Sequence, residues 1–75
     1  MRLSDAKKKV NLIINNINIQ DKSLKNYLHT LGIVKNTKIK ILKKSFLNGP
    51  IIINIRNYQL SISKEISNNI EVEYL

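Results

Sequence analysis

The stretch Tyr27–Leu42, YLHTLGIVKNTKIKIL, changes its periodicity halfway along. Its first part ends an apolar helical stripe at Gly32, and glycine readily adopts the left-handed conformation that closes many helices. Its second part, TKIKIL, alternates lysine with isoleucine, which is typical of a strand with one buried face. Between them lies Asn36, and asparagine is well suited to a positive φ. The stretch therefore predicts a helix, a turn and a strand, in that order.

The helix that ends at Gly32 is predicted to begin after Asp21, because an aspartate carboxylate can accept hydrogen bonds from the free amides of a first turn. The apolar residues recur at spacings of three and four and form one stripe: Leu24, Tyr27, Leu28 and Leu31. The opposite, wet face carries Lys22, Lys25, Asn26 and His29. Ile33, just beyond the glycine, is placed to touch Leu28.

Strands are predicted on both sides of this helix. In KKVNLIIN the alternation puts Val10, Leu12 and Ile14 on one face, and NINIQ continues it weakly through Ile17 and Ile19. In TKIKIL, Ile39 and Ile41 point inward while Lys38 and Lys40 point outward. SFLNGP then predicts a hairpin connection, with Asn48 and Gly49 as the turn signal and Pro50 at the start of the next strand.

The parity of apolar residues flips within IIINIRNYQLSIS. They are odd-numbered up to Ile55 and even-numbered from Tyr58, so one strand cannot bury both sets. A tight turn or a bulge must lie at Arg56 and Asn57, and we favour the turn, with Asn57 left-handed. A short helical turn opened by Ser63 or Ser61 follows. The last strand, IEVEYL, directs inward Ile70, Val72 and Tyr74.

Length and composition limit the architecture. A chain of 75 residues suffices for one domain, 1–75, with one modest core, and the absence of cysteine excludes disulfides and thiolate metal sites. No apolar run approaches the roughly 18 residues that a transmembrane helix needs, and no signal peptide is evident, which favours a cytoplasmic protein without membrane insertion. The pattern predicts a mainly β fold with one helix: a small, partly open barrel of about five strands.

The charge balance, 13 basic against 5 acidic residues, gives a net charge of +8. A basic domain attracts phosphate groups without a specific site, which suggests nucleic acid or an anionic surface as a partner. AT-rich codon usage would equally explain a chain dominated by isoleucine, asparagine and lysine. That bias explains the scarcity of acids less well, so some attraction to anions is expected with either explanation.

The residues do not predict catalysis, a cofactor or a metal site. His29 is the single histidine and lies on the wet face of the helix, and no serine has a histidine and an acid in a context that would activate it. Glu71 and Glu73 share the outer face of the last strand, but a transition-metal site usually needs several converging ligands. Gly32 follows a helix, whereas a phosphate loop precedes one. The sequence therefore predicts a binding protein and not an enzyme.

Two surfaces are candidates for partner binding. Phe46 and Leu47 are apolar residues at the predicted hairpin end, where they either face solvent or fold back over the end of the barrel. The second surface is basic and is formed by lysines of the helix and of the strand after it: Lys22, Lys25, Lys38, Lys40, Lys43 and Lys44. The aromatic residues are few, and Tyr27, Tyr58 and Tyr74 are assigned inward, which counts against an RNA-stacking surface.

The order of LHTLGIVKNTKIKIL, NGPIIINIRNYQLSIS and IEVEY resembles the FeoA family, the small SH3-like proteins of bacterial ferrous iron uptake. Four family turns correspond, in chain order, to Leu31-Gly32, Asn36-Thr37, Asn48-Gly49-Pro50 and Asn57-Tyr58. Two of the family's glycines are asparagines here, the substitution that a left-handed position tolerates best. The family's early Pro-Gly turn is Lys7-Lys8 here, and Ser63 replaces an arginine, so a partner contact through that arginine is not carried over to this chain.

This resemblance implies a cytoplasmic accessory that binds and modulates the membrane ferrous iron permease or its GTPase portion. It also implies a link to transition metals, although iron uptake does not require this chain to bind iron. The alternative is a basic nucleic-acid-binding barrel, or the like-folded accessory domain of a metal-dependent repressor. Nucleic acid is the weaker expectation, because no DNA-reading helix-turn-helix is evident. The edge strands of an open barrel can pair between copies, so weak self-association is a further expectation.

Overall fold

The computed structural model describes all residues, Met1–Leu75, and contains one antiparallel sheet with a helix between its first two strands. The strands are β1 (Asn11–Ile17), β2 (Lys38–Lys44), β3 (Ile51–Ile55), β4 (Tyr58–Ile62) and β5 (Ile70–Tyr74). The helices are α1 (Lys22–Thr30) and the short α2 (Lys64–Ser67), and Leu3–Asp5 forms a 3₁₀ turn. None of the helices is long and apolar enough to span a bilayer.

The sheet has the order β4-β3-β2-β1-β5 and curves into an SH3-like barrel that stays partly open, because β4 and β5 do not pair with each other. The centre of the core comes from the alternating isoleucines of β2 and β3, where Ile41 pairs with Ile53 and Ile39 with Ile55. All four are at most 3% exposed. One cluster of 15 buried apolar residues fills the barrel, so the predicted fold class is confirmed.

Helix α1 has the predicted beginning and end. The Asp21 carboxylate accepts from the Ser23 and Leu24 amides at 2.9 and 3.2 Å. At the other end Gly32 has φ +89°, and its amide donates to the His29 carbonyl while the Ile33 amide donates to the Leu28 carbonyl. This pair of bonds is the Schellman motif, in which apolar contact between residues such as Leu28 and Ile33 accompanies the glycine.

Asp21→Ala should destabilise the protein by about 1 kcal/mol, because two first-turn amides lose their acceptor and the negative end charge that favours the helix dipole is removed. Urea unfolding followed by circular dichroism would measure the loss. Lys22→Ala is the matched control, since Lys22 is exposed and caps nothing. Equal stability of the Asp21→Ala variant and the wild-type protein would show that the cap contributes nothing.

Strand β1 differs from its prediction at both ends. Lys9 has φ +66° and turns the chain, so the strand begins at Asn11 and Val10 lies before it, half-buried. The register against β5 shifts between Ile14 and Asn16, which is a β-bulge. The bulge leaves Asn15 and Asn16 both exposed and returns Ile17 to the core, so the burial changes from even to odd positions.

The two hairpin turns have different outcomes. Between β3 and β4 the turn falls at Arg56 and Asn57, with φ +47° and +70°, which confirms the tight turn inferred from the parity. Between β2 and β3 the positive φ angles belong to Leu47 and Asn48, and the Gly49 amide donates to the Phe46 carbonyl. The turn thus lies in the predicted connection and includes Asn48 of the Asn-Gly signal, but the residue that shares the positive φ is Leu47 and not Gly49.

Gly49 does not have a positive φ. A glycine is required at this position because there is no room for a side chain. A Cβ atom at this position would lie 2.6 Å from the Ser45 Cβ, where the two arms of the hairpin approach each other. Pro50 precedes β3, and its carbonyl accepts from the Ser45 amide at 3.2 Å, which closes the loop.

The three tyrosines do not point into the core, so their inward assignment was wrong. Tyr27, Tyr58 and Tyr74 are 59%, 40% and 43% exposed. The hydroxyl of Tyr58 donates to the Leu31 carbonyl at the end of α1, and that of Tyr74 accepts from the Lys7 amide at 3.1 Å. A phenol that needs a hydrogen-bond partner is better placed at the rim of a small barrel than in its aliphatic centre.

The chain termini pack against each other beside the barrel. The Val72 amide donates to the Met1 carbonyl at 2.8 Å, and the Ser4 hydroxyl donates to the Asn68 side-chain oxygen at 2.6 Å. Ser63 caps α2 by accepting from the Ile66 amide, which decides between the two serines considered for that role. These bonds cover one end of the core with Leu3 and Ala6, both fully buried.

Candidate partner-binding surfaces

The hairpin tip, Phe46 and Leu47, is the most exposed apolar feature of the protein. Both side chains are 94% exposed, which decides between the two orientations left open by the sequence: they do not fold back over the barrel. Leu47 also has a left-handed backbone, with φ +54°, a conformation uncommon for a residue other than glycine, asparagine or aspartate. Two exposed large side chains on an unusual backbone are a candidate contact surface.

The base of this hairpin is firmly held, although its tip is bare. Lys44 pairs with Ile51, which is 2% exposed, and the Lys44 ammonium donates to the Ser4 carbonyl at 3.1 Å. Lys43 lies beside it and is exposed. The hairpin tip is therefore presented by rigid elements, as a preorganised contact site requires.

The lysines proposed as one basic surface lie in separate places. Lys25 lines a groove of about 210 Å³ between α1 and the chain that follows it, together with His29 and Lys35 and an apolar floor. Lys22 is exposed near the start of α1 and lines no groove with them. We call this cavity the helix groove.

Lys38 and Lys40 belong to a second cavity of about 210 Å³ on the outer face of the sheet, which we call the sheet groove. Lys38 and Lys40 both lie on the outer face as predicted, with Lys38 exposed and Lys40 half-buried. Arg56 adds a third cation from the β3–β4 turn. The remaining lining residues are three asparagines and one isoleucine: Asn11, Asn54, Asn57 and Ile39.

Few of the basic side chains have an acidic partner. The Arg2 guanidinium pairs with the Asp5 carboxylate at 3.0 Å, and the hydrogen bond from Arg2 is the main reason that the pKa of Asp5 lies below its ordinary value. The other ion pair joins the Met1 ammonium to Glu71 at 3.2 Å. No lysine forms an ion pair, so the lysine charge is free to attract an anionic partner.

The carboxylates and His29 do not converge. No group of three or more histidine, cysteine, aspartate or glutamate side chains could hold a metal ion. His29 lies in the helix groove beside two lysines, whose positive charge disfavours a bound metal cation.

The sequence did not identify Arg56, Lys35 or the asparagines of the sheet groove as binding residues, although it did predict the turn at Arg56 and Asn57. Asn11, Lys40 and Asn54 are adjacent only because β1 and β3 both pair with β2 in a particular register. Alternation predicts that Lys40 faces outward, but it does not predict which residues of other strands lie beside it. Lys35 and Arg56 lie in turns, where alternation does not predict the direction of a side chain.

A barrel of this size, with its accessible groups on one turn and in shallow grooves, is a small SH3-like domain suited to binding. The chain belongs to the FeoA family, because the family model described as the FeoA domain matches residues 1–74. FeoA domains are small and non-catalytic, and membership implies an accessory role in iron transport. A search of curated proteins finds no match.

Solved structures agree with the family assignment. The solution structure of iron(II) transport protein A from Clostridium thermocellum has a TM-score of 0.90 and 28% identity, over 100% of this chain and 46% of that one. The FeoA protein from Chlorobium tepidum has a TM-score of 0.90 and 25% identity, over 100% of this chain and 70% of that one. The chain thus spans less than half of the first and just over two thirds of the second.

A manganese-dependent transcriptional repressor contains a similar fold. Its TM-score is 0.89 at 17% identity, over 100% of this chain and 41% of the repressor. At that identity the likeness concerns the fold alone.

Proposed function

We propose that this chain is a cytoplasmic accessory protein of ferrous iron uptake that binds the membrane iron permease, on its GTPase portion, and modulates transport. Family membership supports the link to iron transport. The observation that carries the binding proposal is the hairpin tip, where Phe46 and Leu47 are 94% exposed. Protein contacts are the ordinary reason for two adjacent bare apolar side chains.

The tip has enough apolar surface to anchor a complex. Burying a large apolar side chain stabilises by roughly 1.5–3 kcal/mol, so the two residues together supply about 3–6 kcal/mol before the costs of association. The partner is expected to offer an apolar cleft, with acidic groups near Lys43 at its rim. Such a rim charge mainly speeds association and orients the partners.

The alternative function is binding of nucleic acid, and the exposed tyrosines remove one argument against it. However, they lie on three different elements, α1, β4 and β5, and the hydroxyls of Tyr58 and Tyr74 are already bonded within the protein. A stacking platform requires neighbouring aromatic faces beside a basic groove. The sheet groove has no aromatic lining and the basic cavity at Lys7 and Lys9 has a single aromatic, Tyr74, so no stacking platform forms and the accessory function is the better supported.

A capture experiment tests the proposal. With the GTPase portion of the permease immobilised, the wild-type chain should be retained, and Phe46→Ala combined with Leu47→Ala should weaken retention by at least about tenfold. Unfolding in urea should shift little, because both side chains are solvent-exposed. Tyr27→Ala is the matched control, an exposed aromatic on α1, and should change retention less than twofold.

Two results would contradict the proposal. One is equal retention of the wild-type chain and the tip double variant. The other is failure of the wild-type chain to be retained while it binds an oligonucleotide with an affinity that falls steeply as salt rises, which would favour the alternative.

A further inference from the structure

The sheet groove contains three cations and no acid among its lining residues, and Glu73 on the same face is separated from Lys38 by Ile13. Lys38, Lys40 and Arg56 line one cavity of about 210 Å³, and none of its lining residues is an acid. Every ion pair of the protein lies elsewhere, at Arg2 and Met1. Like charges held together without a counter-charge repel one another, and a bound anion would relieve that repulsion.

Strand register places amide groups beside these cations. Asn11 on β1 is the direct partner of Lys40 on β2, and Lys40 is the direct partner of Asn54 on β3. Residues that pair directly across strands have Cβ atoms about 5 Å apart and point to the same face. Because Ile53 and Ile55 are buried, Asn54 between them faces outward, so the three form one row across the outer face.

The donors of this row are free. The side-chain hydrogen bonds of the protein involve none of the six polar residues of the groove. Arg56 makes no hydrogen bond to the end of α1, where the Leu31 carbonyl accepts from Tyr58 and the Leu28 carbonyl from Ile33. Its side chain rests against Gly32, where an added Cβ would lie 3.2 Å from its Cδ and Nε atoms. The Arg56 side chain is exposed, so its guanidinium can turn towards a bound anion.

A second basic cavity adjoins the first. A cavity of about 490 Å³ beside the end of β5, which we call the edge groove, is lined by Lys7 and Lys9 and shares Asn11 with the sheet groove. Its other lining residues are Val10, Tyr74 and Leu75, so no lining side chain is acidic and part of the wall is apolar. The two adjoining cavities together have five positive charges, more than a single monovalent anion would neutralise.

We propose that the sheet groove binds a phosphate-type oxyanion and that the edge groove extends the site for a chain of linked phosphates. Lysine ammonium groups serve as point charges, the Arg56 guanidinium offers a fork of donors for two oxygens, and the asparagine amides supply neutral donors. The half-buried Lys40 lies at the centre, where partial exclusion of water strengthens its attraction for an anion. This site is independent of the hairpin tip, which lies at the opposite end of β2.

Titration at constant ionic strength tests the site. Orthophosphate and tripolyphosphate are added to the labelled full chain, and amide chemical shifts are recorded. The expected result is saturable change at Asn11, Lys38, Lys40, Asn54 and Arg56, with tripolyphosphate binding at least about tenfold more tightly because it reaches the edge groove. Change that grows linearly without saturation, or that spreads over all lysines equally, would overturn the proposal.

Variants decide whether the groove itself is responsible. Lys40→Gln and Lys38→Gln should each weaken tripolyphosphate binding by about tenfold, the usual effect of losing a charged hydrogen-bond donor. Lys40→Arg, which keeps the charge, should stay within about threefold of wild type. Lys22→Gln removes one charge outside both grooves and should change binding less than twofold; an effect as large as that of Lys38→Gln would overturn the site. The exposed Lys38 keeps the test valid if Lys40→Gln folds poorly.

Two further binding experiments determine whether the phosphate groups that bind the groove belong to a lipid, to a nucleic acid or to free phosphate. Vesicles of neutral lipid with and without phosphatidylglycerol separate a lipid headgroup from free phosphate, and Lys38→Gln should weaken whichever interaction uses the groove by about tenfold. An oligothymidine is the third probe. Tripolyphosphate that fails to displace it from the groove would overturn the proposal in favour of nucleic acid, and displacement by tripolyphosphate supports it.

Discussion

Ile53→Ala should reduce the free energy of unfolding by about 3 kcal/mol, within the range of 2–5 kcal/mol that such core truncations cost. Ile53 is fully buried in β3 and pairs with Ile41 on one side and Leu60 on the other. The change removes three carbon atoms from the centre of the barrel. A rigid sheet collapses little into the space left behind, so the lost contacts are not replaced.

The loss is large relative to the stability of such a small protein. At 0.05–0.15 kcal/mol per residue, a chain of 75 residues is stable by about 4–11 kcal/mol. With the temperature sensitivity usual for this size, Ile53→Ala should melt roughly 15 °C lower than wild type. Urea unfolding should show a lower midpoint and an unchanged slope, because the surface exposed on unfolding stays nearly the same.

The neighbouring residue provides the control. Ile52 has the same side chain, lies on the other face of β3, and pairs with Lys43 and Ser61. It is half-buried, so Ile52→Ala should cost about 1 kcal/mol, mostly through lost strand propensity and partial burial. Equal losses for the two variants would show that the inner face of the barrel is not the centre of its stability.

The same alternation explains why most of the sheet could be predicted from the sequence. In β2 and β3 a buried isoleucine recurs at every second residue, and the flip at Arg56 and Asn57 marks a turn because no strand can bury both parities. The β1 bulge was missed because it arises from pairing with β5, which lies more than fifty residues further along the chain. A local pattern contains no information about such a partner.

The candidate surfaces also divide into features that local alternation predicts and features that depend on the pairing of distant strands. The outward direction of Lys38 was predictable from alternation, and the exposure of Phe46 and Leu47 required the structure to exclude a fold back onto the barrel. The sheet groove depends on the register that aligns Asn11 with Lys40 and on a turn that brings Arg56 to the end of α1. Both are properties of the assembled sheet.

Gly32→Ala should destabilise the protein by about 1–2 kcal/mol, because Gly32 has φ +89° and alanine is strained in that conformation. The backbone cannot relax without breaking the closure of α1. The Ile33 amide bonds to the Leu28 carbonyl at 3.0 Å and the Gly32 amide to the His29 carbonyl at 2.9 Å, and both bonds require the left-handed glycine. Urea unfolding measures the cost.

The alanine methyl group also meets Arg56. Its Cβ would lie 3.2 Å from the Arg56 Cδ and Nε atoms, a tight contact that a flexible side chain relieves by moving a few tenths of an ångström. Gly32→Asn separates this contact from the backbone strain. Asparagine has the same Cβ but tolerates a positive φ better than other residues with side chains, so it should recover about half of the stability that alanine loses.

A double-mutant cycle with Arg56→Ala completes the separation. If backbone strain is the main cost, Gly32→Ala remains destabilising by more than two thirds of its original amount when the Arg56 side chain is absent. If Gly32→Ala instead costs no stability in the Arg56→Ala background, the glycine would be required because the β3–β4 turn approaches it closely. The geometry favours the first result, because the positive φ remains whatever lies above the glycine, whereas the Arg56 side chain can move away. Gly32 would then be required chiefly to end α1. Arg56 packs against it because a glycine leaves space for that side chain at the end of the helix.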